Sequence, residues 1–319
     1  MSDIDFTTVT NGSNRLNVAV QGSGPLILCV HGWPELWYSW RHQLPFLAAK
    51  GFTAAAMDVR GYGGSSKPDD IESYTLTELA SDVAAVVDEL GGGEAILIGH
   101  DWGAPIVWNT ARLYPDKITA VVGLSVPYTP VGTQSSLALW EALFPDRFFY
   151  QTYFVPEGVA EAELAADPND SIRRIYYALS GDGVGIFNAE KPVDSTLLEG
   201  ITAPVPFPAW ASDDDLRVYS DAIEAGGWRG PLNRYRAQNL DSEQLGSIEH
   251  AGLSQPAAFI GGEFDPVRSF VPGVDIFDYA AAACLDFRGT TVIPGAGHWV
   301  QQEAPAETNA ALGAFLDSL

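Results

Sequence analysis

The chain has few cysteines, few basic residues and no long hydrophobic run. Only Cys29 and Cys284 occur among 319 residues, far apart and in apolar stretches. Two buried free thiols are a simpler reading of them than a disulfide or a redox pair. Lys and Arg total 17 against 41 Asp and Glu, for a net charge of −24. A surface of that sign repels nucleic acid and anionic membranes, so neither is an expected partner. The five histidines are scattered and form no cluster with metal-ligand spacing, so no metal is expected. No apolar run approaches the ~18 residues of a membrane span. The acidic start, Met1-Ser2-Asp3-Ile4-Asp5, lacks the basic and apolar regions of a secretion signal. A soluble, cytoplasmic protein is the expectation.

Apolar residues make up 46% of the chain, enough for a sizeable core, and no internal repeat or low-complexity segment is present. Phe6–Thr10 and Leu16–Val20, joined by Asn11-Gly12-Ser13-Asn14, read as a hairpin. Strand-like runs follow at Leu26–Val30, Phe52–Met57, Ala95–Ile98 and Ile118–Leu124. Helical spacing appears at Ser39–Lys50, Thr75–Leu90 and Ala104–Leu113. This alternation predicts an α/β fold, a mostly parallel sheet covered by helices on both faces. From about residue 130 to 246 the strand rhythm stops, and the chain turns helical, irregular and rich in aromatics and proline. The rhythm resumes with a strand at Ala257–Gly261, a helix at Ile276–Cys284, a strand at Thr290–Ile293 and a helix at Ala306–Leu316. The expected organisation is a core formed by residues 1–129 and 247–319, with a helical cap inserted at 130–246.

Chemistry-bearing residues fall at the predicted strand ends, where open α/β sheets bind ligands. Gly99-His100-Asp101-Trp102-Gly103 has the small-x-nucleophile-x-small form of a nucleophile elbow, a tight turn between strand and helix. Most such elbows carry serine. A carboxylate there attacks carbon and forms an ester. The simpler role for Asp101 is a helix N-cap. Gly261-Gly262-Glu263-Phe264-Asp265-Pro266 ends a strand in carboxylates. Asp265 is favoured over Glu263 as the acid, although residues i and i+2 of a strand share a face. Gly295-Ala296-Gly297-His298-Trp299 presents a histidine before the last helix. Nucleophile, acid, histidine is the chain order of an α/β-hydrolase triad. His31-Gly32-Trp33-Pro34 follows the third strand and would form the oxyanion loop. The oxyanion donors would be the backbone N–H groups of Trp33 and Trp102, and the His31 side chain is expected to shape the loop.

Taken with Asp58-Val59-Arg60-Gly61-Tyr62-Gly63-Gly64-Ser65 and with Glu35 after the oxyanion loop, these stretches resemble the soluble epoxide hydrolases of the α/β-hydrolase fold over almost the whole chain. The elbow alone is shared with haloalkane dehalogenases. The resemblance implies two cap tyrosines that hold and protonate the epoxide oxygen. Phe149-Tyr150-Gln151-Thr152-Tyr153-Phe154, ahead of Pro156-Glu157-Gly158, matches one and points to Tyr150, with Tyr153 as the alternative. Leu232-Asn233-Arg234-Tyr235-Arg236 matches the other and points to Tyr235. Arg234 stands where many relatives carry an aromatic residue.

The implied reaction has two steps. Asp101 attacks the epoxide while a tyrosine gives the oxygen its proton. His298, oriented by Asp265, then activates a water that hydrolyses the ester to a vicinal diol. The expected partners are a small-molecule epoxide and water, with no cofactor, in a monomer or homodimer. A haloalkane or haloacid dehalogenase with the same triad is the alternative, and a ligand carrier or serine-type esterase fits the residues less well. Trp37, Phe148, Phe154, Phe187, Trp210 and Trp299 are candidate pocket aromatics, each equally suited to the cap's core.

Overall fold

The computed structural model describes residues 4–248 and 252–319. β1 (Asp5–Asn11) and β2 (Asn14–Gly22) form the expected antiparallel hairpin. β3 (Leu26–Val30), α1 (Gln43–Ala49) and β4 (Thr53–Met57) follow, then α2 (Leu76–Gly91), β5 (Ala95–His100), α3 (Gly103–Leu113) and β6 (Ile118–Leu124). The long stretch after β6 is helical. It carries α4 (Ser136–Leu143), α5 (Tyr150–Tyr153), α6 (Val159–Leu164), α7 (Pro168–Leu179), α8 (Asp213–Gly226), α9 (Arg229–Arg236) and α10 (Gln238–Leu245). The chain then returns through β7 (Leu253–Gly262) and β8 (Cys284–Ile293) to α11 (Val300–Glu303) and α12 (Pro305–Leu316).

The strands make one sheet in the order β1-β2-β4-β3-β5-β6-β7-β8. β2 joins β4 antiparallel, and every pairing from β4 to β8 is parallel. β3 is buried along its whole length, so alternate residues serve two cores. Leu26, Leu28 and Val30 face a core shared with α2, α3 and the inserted helices. Ile27 and Cys29 face a second core with α1 and α12. Apolar side chains are therefore needed at every position, which explains the unbroken run in the sequence.

Local chemistry sets several boundaries. Thr75 accepts from Glu78 N and caps α2. Asp167 caps α7, and Pro168 takes its first position, where a missing N–H costs nothing. Ser212 and Asp215 form a reciprocal capping box at the start of α8.

Two sequence expectations need correction. The single helix expected over Ser39–Lys50 is a 3-10 turn at Trp37–Trp40 followed by α1. Pro45 has no N–H to donate, so it fits only in the first turn of a helix, and α1 starts two residues before it. The helix expected over Ile276–Cys284 is only a 3-10 turn, Ile276–Tyr279, capped by Asp275. β8 then begins at Cys284, well before Thr290. As the last strand of the sheet it is largely exposed, so its polar residues hid it from a hydrophobicity reading. Pairing with β7 makes it a strand.

Candidate active site

The site lies where β3, β5, β7 and β8 end. After β5 the chain turns sharply at Asp101, whose φ is +50°, and enters α3. A non-glycine residue seldom adopts that conformation, and such strain gathers at functional positions. The turn depends on its glycines. A Cβ on Gly103 would meet Val30 O at 2.0 Å, and one on Gly99 would meet Gly103 O at 2.2 Å.

The two Asp101 oxygens have separate partners. Oδ1 accepts from Trp33 N at 2.7 Å, and Oδ2 lies 3.3 Å from His298 Nε2. Trp33 belongs to the loop after β3, where the Trp33–Pro34 peptide is cis. Gly32 in that loop backs directly onto the carboxylate. A Cβ there would lie 2.3 Å from Asp101 Oδ1. Trp102 follows the aspartate at the N-cap of α3, at the positive end of the helix.

His298 sits on the loop after β8. Its Nδ1 lies 3.1 Å from both oxygens of Asp265, which is buried just beyond β7. Asp265 also accepts from Val267 N at 2.9 Å, so it caps the next turn while it holds the imidazole. Glu263 is exposed and accepts from Gly295 N instead, so the geometry pairs Asp265 with the histidine. Burial pushes the His298 imidazolium down, but the carboxylates of Asp265 and Asp101 more than reverse this and hold it well above the usual range.

Further groups hold the histidine in place. His298 N donates to Leu179 O at 2.9 Å. Its carbonyl accepts from His100 Nε2 and Ser125 Oγ, both at 2.8 Å. His100 Nδ1 lies 2.6 Å from Glu35 Oε2, which also accepts from Gly32 N. Burial raises the Glu35 carboxyl, but His100 outweighs it and brings it down to about 2. Glu303 accepts from the N–H groups of Gly181, Gly297 and Trp299. Trp299 stacks on Tyr176 at 4.3 Å, joining the loop to α7. His31 has the shaping role expected of it: its ring bonds Gly32 O and Val59 N.

Tyr150 and Tyr235 meet above the elbow, their rings 5.8 Å apart. Tyr235 packs edge-on against Trp102 and Trp33. Burial and Asp101 raise both phenols, so each stays protonated near neutral pH. Tyr153 faces elsewhere and donates to Glu163 at 2.9 Å. A cavity of about 480 Å³ runs from Asp101 past Trp102, Tyr150 and Gln151 to Trp140 and Phe270. None of the six aromatics suggested by the sequence lines it. Phe148 and Phe187 border a neighbouring groove, and Phe154 is buried against Trp33. Trp210 and Trp299 stack on Tyr176, while Trp37 packs on Phe6.

Glu35, His100, Gln151 and Glu303 were not assigned roles from the sequence. Glu35, His100 and Gln151 stand inside recognised motifs; the first two bond partners distant in the chain, and Gln151 bonds its neighbour Tyr150. Arg234, the departure noted in the sequence, is buried with its guanidinium 4.7 Å above the Trp102 ring. It also pairs with Asp241 and bonds Tyr74 O.

Comparison with known proteins bears on this arrangement. A family model described as alpha/beta hydrolase fold matches residues 25–305. The chain is 38% identical over 314 residues to epoxide hydrolase A of Mycobacterium tuberculosis, spanning 97% of this chain and 96% of that protein. A solved epoxide hydrolase from an endophytic Streptomyces superposes with a TM-score of 0.93 at 40% identity, covering 98% of this chain and 95% of the other. Epoxide hydrolase A from Mycobacterium thermoresistibile superposes with a TM-score of 0.90 at 38% identity, covering 99% and 98%.

Proposed function

The chain belongs to the epoxide hydrolases of the α/β-hydrolase fold, enzymes that add water to small-molecule epoxides, and we propose that its reaction runs through a covalent ester on Asp101. The observation that supports this most directly is the division of the Asp101 carboxylate between Trp33 N and His298 Nε2. One oxygen is held by a backbone donor, and the other lies on the side of the base.

In the first step an Asp101 oxygen forms a bond to an epoxide carbon, and the ring C–O bond breaks. Its electron pair takes a proton from a phenol, Tyr150 or Tyr235. A free alkoxide would be a poor leaving group at neutral pH, and the buried phenols supply the proton without competing as anions. In the second step His298 removes a proton from water, and the resulting hydroxide attacks the ester carbonyl. Asp265 orients the imidazole and stabilises its charge. The N–H groups of Trp33 and Trp102 serve the oxyanion. The acyl C–O bond breaks, one of the water's two protons goes to the departing diol oxygen and the other returns to the tyrosine, and Asp101 is restored as a carboxylate. The chain and one water supply every group, so no cofactor takes part.

The position of His298 follows the same logic. While Asp101 is ionised, two carboxylates favour the imidazolium. Esterification removes one of those charges and makes the neutral base easier to reach, at the step that needs it. The dehalogenase alternative would use the Trp102 indole N–H to hold a halide. Here two tyrosines, Tyr150 and Tyr235, stand together over the elbow, which favours the epoxide. On this reading residues 1–129 and 247–319 form the core and 130–246 the cap. The enzyme acts in the cytoplasm as a monomer or homodimer.

A single turnover in oxygen-18 water tests the reading. The first diol formed should carry unlabelled oxygen from Asp101, and the label should appear in the Asp101 carboxylate. Label entering the first diol directly would mean that water attacks the epoxide itself.

A further inference from the structure

A hydroxyl has one proton, and the direction in which Tyr150 spends it depends on its neighbour. Gln151 follows Tyr150 in α5, lines the same cavity and is 8% exposed. Its Nε2 donates to Tyr150 Oη at 2.9 Å. Its carbonyl Oε1 is buried without a partner. An unsatisfied buried carbonyl is costly, and a native fold retains one for a reason. Turning the amide over would let Oε1 accept the Tyr150 proton, and would leave the amide N–H donors without a partner in its place. The phenol would then have nothing left to give a substrate.

The neighbouring tyrosines give the comparison. Tyr235 packs its ring edge-on against the Trp102 indole. Tyr153, facing away, gives its proton to the Glu163 carboxylate. Tyr150, by contrast, has its oxygen occupied as an acceptor, which leaves its O–H bond free to point into the site.

We propose that Gln151 is a positioning residue for ring opening: its amide N–H aims the Tyr150 proton at the epoxide oxygen and then holds the phenolate. The inference rests on the assignment of Tyr150 as a proton donor. In the step itself the Asp101–carbon bond forms and the ring C–O bond breaks. The ring oxygen's electron pair takes the Tyr150 proton. The phenolate charge left on Oη falls on the Gln151 N–H until the proton released by ester hydrolysis returns. Gln151 therefore contributes to the first step only.

Single-turnover stopped flow with styrene oxide separates the two steps, using the fluorescence of the tryptophans around the site. Gln151→Met should slow alkylation about tenfold, as expected for a lost hydrogen bond to a developing charge. Ester hydrolysis should stay within about twofold, because Gln151 does not contact the base. Gln151→Glu, whose carboxylate captures the phenol proton, should slow alkylation further and guards against a folding defect peculiar to the methionine variant. In a Tyr150→Phe background, Gln151→Met should have no further effect. Unchanged alkylation in Gln151→Met, or an equal loss with and without the Tyr150 hydroxyl, would overturn the proposal. Unchanged alkylation in Tyr150→Phe alone would remove Tyr150 from the reaction, and this inference with it.

Discussion

His100 Nε2 donates to the backbone carbonyl of His298 at 2.8 Å, so the residue just before the nucleophile holds the peptide that carries the base. The other ring nitrogen of His100 faces Glu35 at 2.6 Å. Glu35 in turn accepts from Gly32 N, beside the oxyanion loop, and from Gln301 and Gln302. One buried carboxylate thus connects the loops after β3, β5 and β8. The catalytic geometry is fixed from behind as well as by its own contacts.

The pH dependence of stability should report that connection. Glu35 is held at about 2, against an ordinary value of 4.5. A lowered folded-state value means that its contribution is present above about pH 4.5 and is lost as the pH falls towards 2. The gap amounts to roughly 3 kcal/mol. Denaturant unfolding of wild type and Glu35→Gln at pH 6 and pH 3 should show the advantage of the wild type shrinking in acid. A constant difference would remove Glu35 from this role.

His298→Gln should separate the two chemical steps. Alkylation persists, ester hydrolysis slows by about 10²–10⁴, and one covalent adduct per chain accumulates. Mass spectrometry after brief exposure to an epoxide should locate the adduct on the peptide containing Asp101.

Gly32→Ala places a methyl group against the nucleophile. Its Cβ would lie 2.3 Å from Asp101 Oδ1 and 2.4 Å from Asp101 Cβ, so the carboxylate must shift. The expected cost is about 1–3 kcal/mol of stability. Activity should fall by about 10², the effect of misplacing a reacting group by about an ångström. Thermal unfolding and kcat/KM measured together test both.

Arg234 and Asp241 form a buried pair between α9, α10 and the start of α2, where Asp241 also accepts from Leu76 N. Arg234→Met leaves that carboxylate unpaired and should cost about 3–5 kcal/mol. Arg234→Met with Asp241→Asn keeps the acceptor for Leu76 and removes the charge. Urea unfolding should show most of the loss recovered in the double variant.

What the sequence revealed follows from how local each signal was. The elbow was legible because five consecutive residues encode it, with glycines where a Cβ would collide with backbone. The parallel sheet was legible because buried strands such as β3 need apolar residues on both faces. Asp265 and Glu263 were hard to separate because both lie just past the strand end, two residues apart; in the structure Asp265 is buried against His298 and Glu263 is exposed. β8 was partly missed because its residues face solvent at the sheet edge. The pocket wall was misread because aromatic content does not tell a residue facing a cavity from one packed behind it. Glu35 and Glu303 also reach partners far along the chain, His100 and Gly181, which no local motif shows.

Glu303 has a practical consequence. Its carboxylate joins Gly181, at the end of α7, to Gly297 and Trp299 on either side of His298, and Leu179 O takes the His298 N–H directly. The helices over the site are therefore not a detachable cover. Transplanting them from a relative to change substrate preference would also move the base, unless the segment from Leu179 to Gly181 is retained with the host. The useful cut for such a chimera lies on either side of that segment, so that shape can be exchanged while the chemistry stays in place.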